Sequence, residues 1–218
     1  MKDKSFKLHF ASQTKPQKGE KGSFRKAKAT VIKMRIITGS ARGTKLATLD
    51  GDATRPTAER VKEAIFSMIQ FDLPDSHVLD LFAGSGQLGL EALSRGAEKA
   101  HLVDRSADAA AIIKQNAQKT HLWDRCRVVN MDFADYIRGT KGEKFDFIFL
   151  DPPYGSGMLK IALEKLADSE LVADGAWIFC EDETDDVFAG DAALAGKYNI
   201  EKQNRYGRVY ITVLTLKK

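Results

Sequence analysis

Cysteine and histidine are scarce in this chain. Its 218 residues include two cysteines, Cys126 and Cys180, which lie 54 positions apart, and four scattered histidines. No Cys-x-x-Cys pair occurs, so neither a disulfide framework nor a zinc knuckle organises the fold, and no metal site is expected. Apolar runs are short. None approaches the roughly 18–20 residues of a membrane span, and none near the start has the layout of a secretory signal. Proline is rare at five residues, which makes the adjacent pair Pro152-Pro153 conspicuous. Disorder throughout is excluded by an apolar fraction of 43%, enough for a core in one domain.

Acidic residues are nearly absent from the beginning. Residues 1–33 carry ten Lys/Arg against Asp3 and Glu20, a net of +8, so the remaining 185 residues net −4 and the basic character of the whole belongs to this leader. Phe6, Leu8, Phe10 and Phe24 are too dispersed to offset the entropy of ordering it, and 1–33 reads as flexible. Either Met34 is the natural start, or the leader is a basic arm that scans RNA through counterion release. One arginine and no amphipathic period argue against a mitochondrial presequence.

From Met34 onward the sequence looks folded. Residues 34–49 read as short β segments around Gly39 and Gly43. Val61, Ala64, Ile65, Met68 and Ile69 fall on one face of a 3.6-period helix that Pro56 opens, and Pro74-Asp75 ends this N-terminal β/helix extension, 34–75. Then strands alternate with helices: strands at Val78–Phe82, Ala100–Val103, Arg127–Asn130, Phe145–Leu150 and Ala176–Cys180, with helices between them. Such alternation means βαβ units, and near-continuous apolar strands mean burial on both faces. Tyr198–Asn204 and Val209–Leu216 read as an antiparallel hairpin. The expectation is an α/β fold with a mostly parallel seven-stranded sheet over 76–218 closed by a C-terminal hairpin, the arrangement of Rossmann-like class I methyltransferases.

Asp80-Leu81-Phe82-Ala83-Gly84-Ser85-Gly86-Gln87-Leu88-Gly89 follows the first strand and opens a helix. Gly84, Gly86 and Gly89 satisfy G-x-G-x-x-G, a weak signal alone, and Asp104, 20 positions beyond Gly84, ends the second strand where a carboxylate binds ribose hydroxyls. Turn and acid together indicate an adenosine-containing cofactor. Asp80 tells against a pyrophosphate, which it would repel, and suits the cationic amino-acid tail of S-adenosylmethionine; the alternative is that it braces the turn. Asp132 after strand three is placed for an adenine amine, with Phe133 against the ring. Its alternative is a helix N-cap.

The most specific feature is Asp151-Pro152-Pro153-Tyr154, closing strand four. Consecutive prolines fix φ and remove two backbone donors, giving a stiff corner with a carboxylate, a carbonyl and an aromatic face. These three groups suit a base bearing an exocyclic amine. The Asp151 carboxylate and the Pro152 carbonyl accept its two N–H bonds, and Tyr154 stacks on its plane, a contact worth about 1–3 kcal/mol. A base in a helix must be unpaired or extruded to reach it.

Val78–Gly89, Val103-Asp104, Asp132-Phe133 and Asp151–Tyr154 resemble the ordered motifs of S-adenosylmethionine-dependent amino-methyltransferases. Upstream, Met34–Gly39, Arg42-Gly43, Leu46, Thr54-Arg55-Pro56-Thr57 and Arg60–Ser67 resemble the RsmD family of bacterial enzymes acting on guanine N2 in small-subunit ribosomal RNA. The resemblance runs from Met34 to about Leu216. It implies a cytoplasmic bacterial enzyme with S-adenosylmethionine as donor and rRNA as substrate; separately, the few basic residues of the small body point to rRNA within a small-subunit assembly particle as the partner. It also implies that Gly84, Gly86, Asp104, Asp132 and Phe133 line the cofactor, that Asp151, Pro152 and Tyr154 hold the base, and that Arg55 and Thr57 border the site. The leader has no counterpart in the family. The acidic run Glu181–Asp186 reads as a solvated loop facing away from RNA.

Other readings compete. A DNA adenine-N6 methyltransferase has the same amine chemistry but needs room for a sequence-reading domain. An NAD-dependent oxidoreductase leaves Asp80 and the proline corner unexplained, and a non-catalytic RNA-binding protein would rely on the leader. Trp123 and Trp177 read as core packing, Cys180 as a buried thiol, and His77 and His101 carry no assigned chemistry.

Overall fold

The structure, a computed structural model, describes residues 34–48 and 56–217, with side chains from Glu59 onward in the first helix. The basic leader therefore lies outside the described residues.

Helix α1 spans Pro56–Met68; of the expected face Val61, Ile65 and Ile69 are buried and Ala64 and Met68 half-buried, while Lys62 and Phe66 are buried as well, so the buried stripe is rotated from the expected one. The alternating region follows as β1 His77–Asp80, α2 Gln87–Ser94, β2 Lys99–Asp104, α3 Ala107–Lys119, β3 Cys126–Asn130, α4 Phe133–Gly139, β4 Phe145–Leu150, α5 Met158–Ala167 and β5 Val172–Asp182. A short α6, Ala192–Ala195, leads to the hairpin β6 Tyr198–Tyr206 and β7 Val209–Leu216. The sheet order is β3-β2-β1-β4-β5-β7-β6, with β1 to β5 parallel and β7 antiparallel to both its neighbours. The chain winds outward through β1, β2 and β3, then returns to place β4 on the other side of β1. That reversal opens a crevice at the carboxyl ends of β1 and β4, where ligands bind in such sheets.

Both faces of the central strands β1, β2 and β4 are covered, which is why they are mostly apolar, whereas edge strand β6 is polar and largely exposed. Phe147 and Phe149 of β4 belong to one apolar layer, with α1, α2 and α3; Ile148 and Leu150 belong to the other, with α4 and α5. His101 of β2 is also buried. Burial lowers its pKa to about 4, so the ring is neutral, and its Nδ1 lies 2.6 Å from the Tyr136 hydroxyl.

The extension docks through side chains rather than strands. Among the described residues its one β contact is the antiparallel bridge Arg35↔Lys45, where the sequence suggests several short β segments. The reason is that its amides are divided between internal turn bonds, such as Ile36 to the Thr44 carbonyl and Leu46 to the Met34 carbonyl, and groups of the core. Buried Glu91 accepts from the Ile37 and Thr38 amides at 2.7 and 3.0 Å, and from Arg95 Nε at 2.8 Å, with Lys62 Nζ at 3.5 Å. Ser94 Oγ accepts from the Ala41 amide and donates to the Thr38 carbonyl. Gly39 sits so close that a Cβ there would lie 1.8 Å from the Ser94 carbonyl oxygen. Asn116 accepts from the Ala47 amide and donates to the carbonyls of Ala47 and Ser85, tying the extension to the glycine-rich turn.

Two further expectations are corrected. β5 begins at Val172, not Ala176: Ala173-Asp174-Gly175 forms an irregularity inside the strand, with Gly175 at φ +78° and a register shift opposite Phe145–Phe147. Trp123 is 41% exposed in a single 3₁₀ turn, not core. Trp177 is half-buried against the core and Cys180 is fully buried, as expected.

Candidate active site

The predicted residues meet at the carboxyl edge. Asp80 ends β1, Asp104 ends β2, Asp132 follows β3, and Asp151 follows β4, so four adjacent strands each present a carboxylate there.

Asp80 is buried. Its Oδ2 accepts from the Gly89 amide at 3.3 Å, while Oδ1 has no hydrogen-bond partner. Burial raises its pKa from 3.8 to about 7; the backbone N–H groups of Gly89 and Phe82 oppose the rise, and Asp104 adds to it. The bracing role and the ligand role weighed for Asp80 therefore fall on different oxygens: one holds the turn, and the other is buried and unsatisfied, a state that costs free energy until a donor arrives.

The three glycines of the turn have different reasons to be there. Gly86 caps α2 at φ +79°, and a Cβ on it would meet Leu102 at 2.9 Å; a Cβ on Gly89 would meet Leu102 at 2.7 Å. Those two let α2 lie against β2. Gly84, at φ +52°, has open space where its Cβ would be, so it alone presents bare backbone toward free volume. Asp104 shapes this backbone: Oδ2 accepts from the Gly84 amide at 2.9 Å and Oδ1 from the Ser106 amide at 2.8 Å. Each carboxylate oxygen retains a second lone pair for a hydroxyl donor. Asp132 caps α4, accepting from the Ala134 amide at 2.8 Å, so the N-cap weighed in the sequence exists. Phe133 is buried at the start of that helix, its ring 5.0 Å from that of half-buried Phe82.

Across the crevice, Pro152 is buried and Asp151 half-buried. Tyr154 is 40% exposed and its hydroxyl donates to Glu181 Oε1 at 2.7 Å. Burial, this bond, and the charges of Glu181, Asp151 and Glu183 hold the Tyr154 phenol far above its ordinary value, so it stays protonated. Glu181 is itself raised by burial, with the Tyr154 bond opposing. Asp151 and Glu181 both line a cavity of about 10 Å³, walled by Ile65, Leu88, Phe149 and Phe179.

Glu181 was missed. Read as part of a charge run, it belonged to a loop turned away from substrate. It is instead in β5, half-buried and bonded to the proline corner. The available signal was its place immediately after the buried strand Ile178–Cys180, the same position that Asp151 holds after Leu150. Arg55 lies outside the described residues, and Thr57 is placed only as part of α1. A larger groove of 560 Å³, lined by Asp72, Asp75, Asp146 and Trp177, lies at the opposite end of the strands and contains no predicted site residue. Among the described residues no group of three His, Cys, Asp or Glu side chains has the arrangement of a metal site, and no helix is long and apolar enough to cross a membrane.

The geometry invites comparison with known proteins. Residues 34–215 match the family described as conserved hypothetical protein 95. The putative rRNA methyltransferase YlbH of Bacillus subtilis is 39% identical over 150 residues, 68% of this chain and 82% of that protein. Ribosomal RNA small subunit methyltransferase D of Escherichia coli is 36% identical over 177 residues, 81% of this chain and 86% of the relative. A solved structure of the putative methyltransferase yhhF from Escherichia coli superposes with a TM-score of 0.73 at 31% identity, covering 85% of this chain and 98% of the other.

Proposed function

The chain belongs to the conserved hypothetical protein 95 family, the RsmD family of the sequence motifs, and we propose that it transfers a methyl group from S-adenosylmethionine to the exocyclic N2 of a guanine in small-subunit rRNA, in the cytoplasm. The observation that carries this reading is the meeting of two motifs at one crevice. The glycine turn with Asp80 follows β1, the proline corner with Asp151 follows β4, and β1 and β4 are paired neighbours.

The residues fit the donor. Asp80 Oδ1, buried and unsatisfied, suits the ammonium of an amino-acid tail, and a pyrophosphate would be repelled there, which disfavours the NAD reading. Gly84 gives access to backbone; Gly86 supports it by letting α2 pack; Asp104 suits the ribose hydroxyls, and Asp132 with Phe133 the adenine. When bound, S-adenosylmethionine supplies an electrophilic methyl on a sulfonium.

The remaining work falls to the corner. The cavity beside Asp151 is about the size of one water, so a base docks at its mouth, flat on the Tyr154 ring. The Asp151 carboxylate and the Pro152 carbonyl accept the two N2–H bonds, directing the nitrogen lone pair across the crevice. After transfer, the positively charged amine gives its extra proton to the Asp151 side. Orientation by groups already fixed in place supplies the rate, since the prolines and the Tyr154–Glu181 bond leave little to organise on binding.

Guanine in rRNA is preferred over adenine in DNA because the matched relatives are rRNA methyltransferases by name. The acidic body also favours a partly assembled small-subunit particle over naked RNA, with bound proteins completing the recognition surface. The test is labelled-methyl transfer to unmethylated particles and to free rRNA, followed by nucleoside analysis. N2-methylguanosine, formed faster on particles and lost in Asp151→Ala with S-adenosylhomocysteine binding retained, is expected. N6-methyladenosine as the sole product would overturn the reading.

A further inference from the structure

Strand β5 delivers a second carboxylate to the corner. The parallel register pairs Leu150 with Cys180, so the next residues, Asp151 and Glu181, stand side by side at the ends of adjacent strands and line one small cavity. Neighbouring strands are about 4.8 Å apart, within reach of two acceptors on one base edge. The Tyr154 hydroxyl occupies Glu181 Oε1; Oε2 accepts no hydrogen bond among the described residues.

Guanine presents two adjacent N–H donors on its Watson–Crick edge, N1–H beside the N2 amine. Adenine presents a lone pair at N1 beside its amine. A lone carboxylate such as Asp151, serving the amine, accepts either base. A second carboxylate next to it does not: it accepts a charge-assisted bond from guanine N1–H and faces the adenine N1 lone pair with like polarity. We infer that Glu181 is the residue that selects guanine, accepting N1–H on Oε2 while its other oxygen fixes the plane of Tyr154. The assignment rests on the guanine-N2 reading above and adds the group that enforces it.

The decisive probe is 2-aminopurine, which keeps the N2 amine but carries a lone pair at N1. Small-subunit rRNA is joined from pieces so that the nucleotide methylated by the wild-type enzyme is either guanine or 2-aminopurine, assembled into particles, and assayed for kcat/KM. The wild type is expected to prefer guanine by about 10–100-fold, the worth of one hydrogen bond to a charged group. In Glu181→Gln, whose amide can donate to N1, the preference should collapse to within a few-fold, mainly through gain on 2-aminopurine relative to guanine. In Tyr154→Phe, which loses only the bond to Oε1, rates on both bases should fall together and the preference persist. S-adenosylhomocysteine affinity and melting temperature equal to the wild type verify that each variant is folded. An unchanged guanine preference in Glu181→Gln would overturn the assignment of Glu181 alone. Absence of any N2-methylguanosine from the wild type would overturn the parent reading and this one with it.

Discussion

Replacing Asp80 by Asn should make the ligand-free protein more stable in mild alkali while crippling its hold on the donor. Asp80 is wholly buried, and its pKa rises from 3.8 to about 7 chiefly through desolvation. Between those two values the folded protein keeps a proton that the unfolded chain has released. Stability therefore falls as pH rises through that window, with no loss below about 3.8 and the full loss above about 7. At about 1.4 kcal/mol per pH unit, the part lost between pH 5 and pH 8 is about 3 kcal/mol. Asn cannot ionise, so this slope vanishes. Its carbonyl still accepts from the Gly89 amide, and its NH₂, buried where Oδ1 has no partner, costs about 1–3 kcal/mol at every pH. The difference in melting temperature between Asp80→Asn and wild type should thus shift in favour of the variant by about 6–12 °C on going from pH 5 to pH 8, at about 2–4 °C per kcal/mol for a domain of this size. Calorimetric titration with S-adenosylhomocysteine supplies the other half: wild-type affinity should climb toward pH 7 as Asp80 ionises, and the variant should bind weakly without that climb. Parallel melting curves for the two proteins at both pH values would refute the reasoning.

Other outcomes follow from the packing. Glu91→Ala removes the anion that Arg95 and buried Lys62 face and frees two backbone amides, so chemical denaturation should show a loss of about 3–5 kcal/mol. Gly39→Ala places a Cβ against the Ser94 carbonyl at a φ of +87°, and limited proteolysis should then cut within residues 34–48 far faster than in the wild type. Tyr136→Phe strips buried His101 of its partner, a cost of about 1–3 kcal/mol in equilibrium unfolding with methyl transfer retained in the folded fraction.

Much of the fold was legible because period and burial agree. Phe145–Leu150 is apolar throughout and lies between two covered faces, and α3 ends at Lys119 where the pattern does. Illegible parts are those where a side chain from far along the chain decides. Residues 34–48 look like strands, but the amides of Ile37, Thr38, Ala41 and Ala47 bond to Glu91, Ser94 and Asn116, which are 53–69 positions away. Asp174-Gly175 is a turn signal absorbed into a strand. At the site, Asp80, Asp104 and Asp151 were placed by their position at strand ends. The separate duties of Gly84, Gly86 and Gly89 were hidden, because only the position of Leu102 distinguishes them. Glu181 was hidden by its neighbours: Asp182, Glu183, Asp185 and Asp186 gave the segment the look of solvent, whereas β5 continues through Asp182 and leaves Glu181 half-buried.

Asp104 has a consequence for how the donor arrives. Both of its oxygens are committed to backbone amides, so the loop that must receive a ribose is already in its receiving shape. This loop then needs no ordering on encounter, and the entropy of shaping it is spent during folding. Variants around this loop should accordingly differ in how long the donor stays and little in how fast it enters.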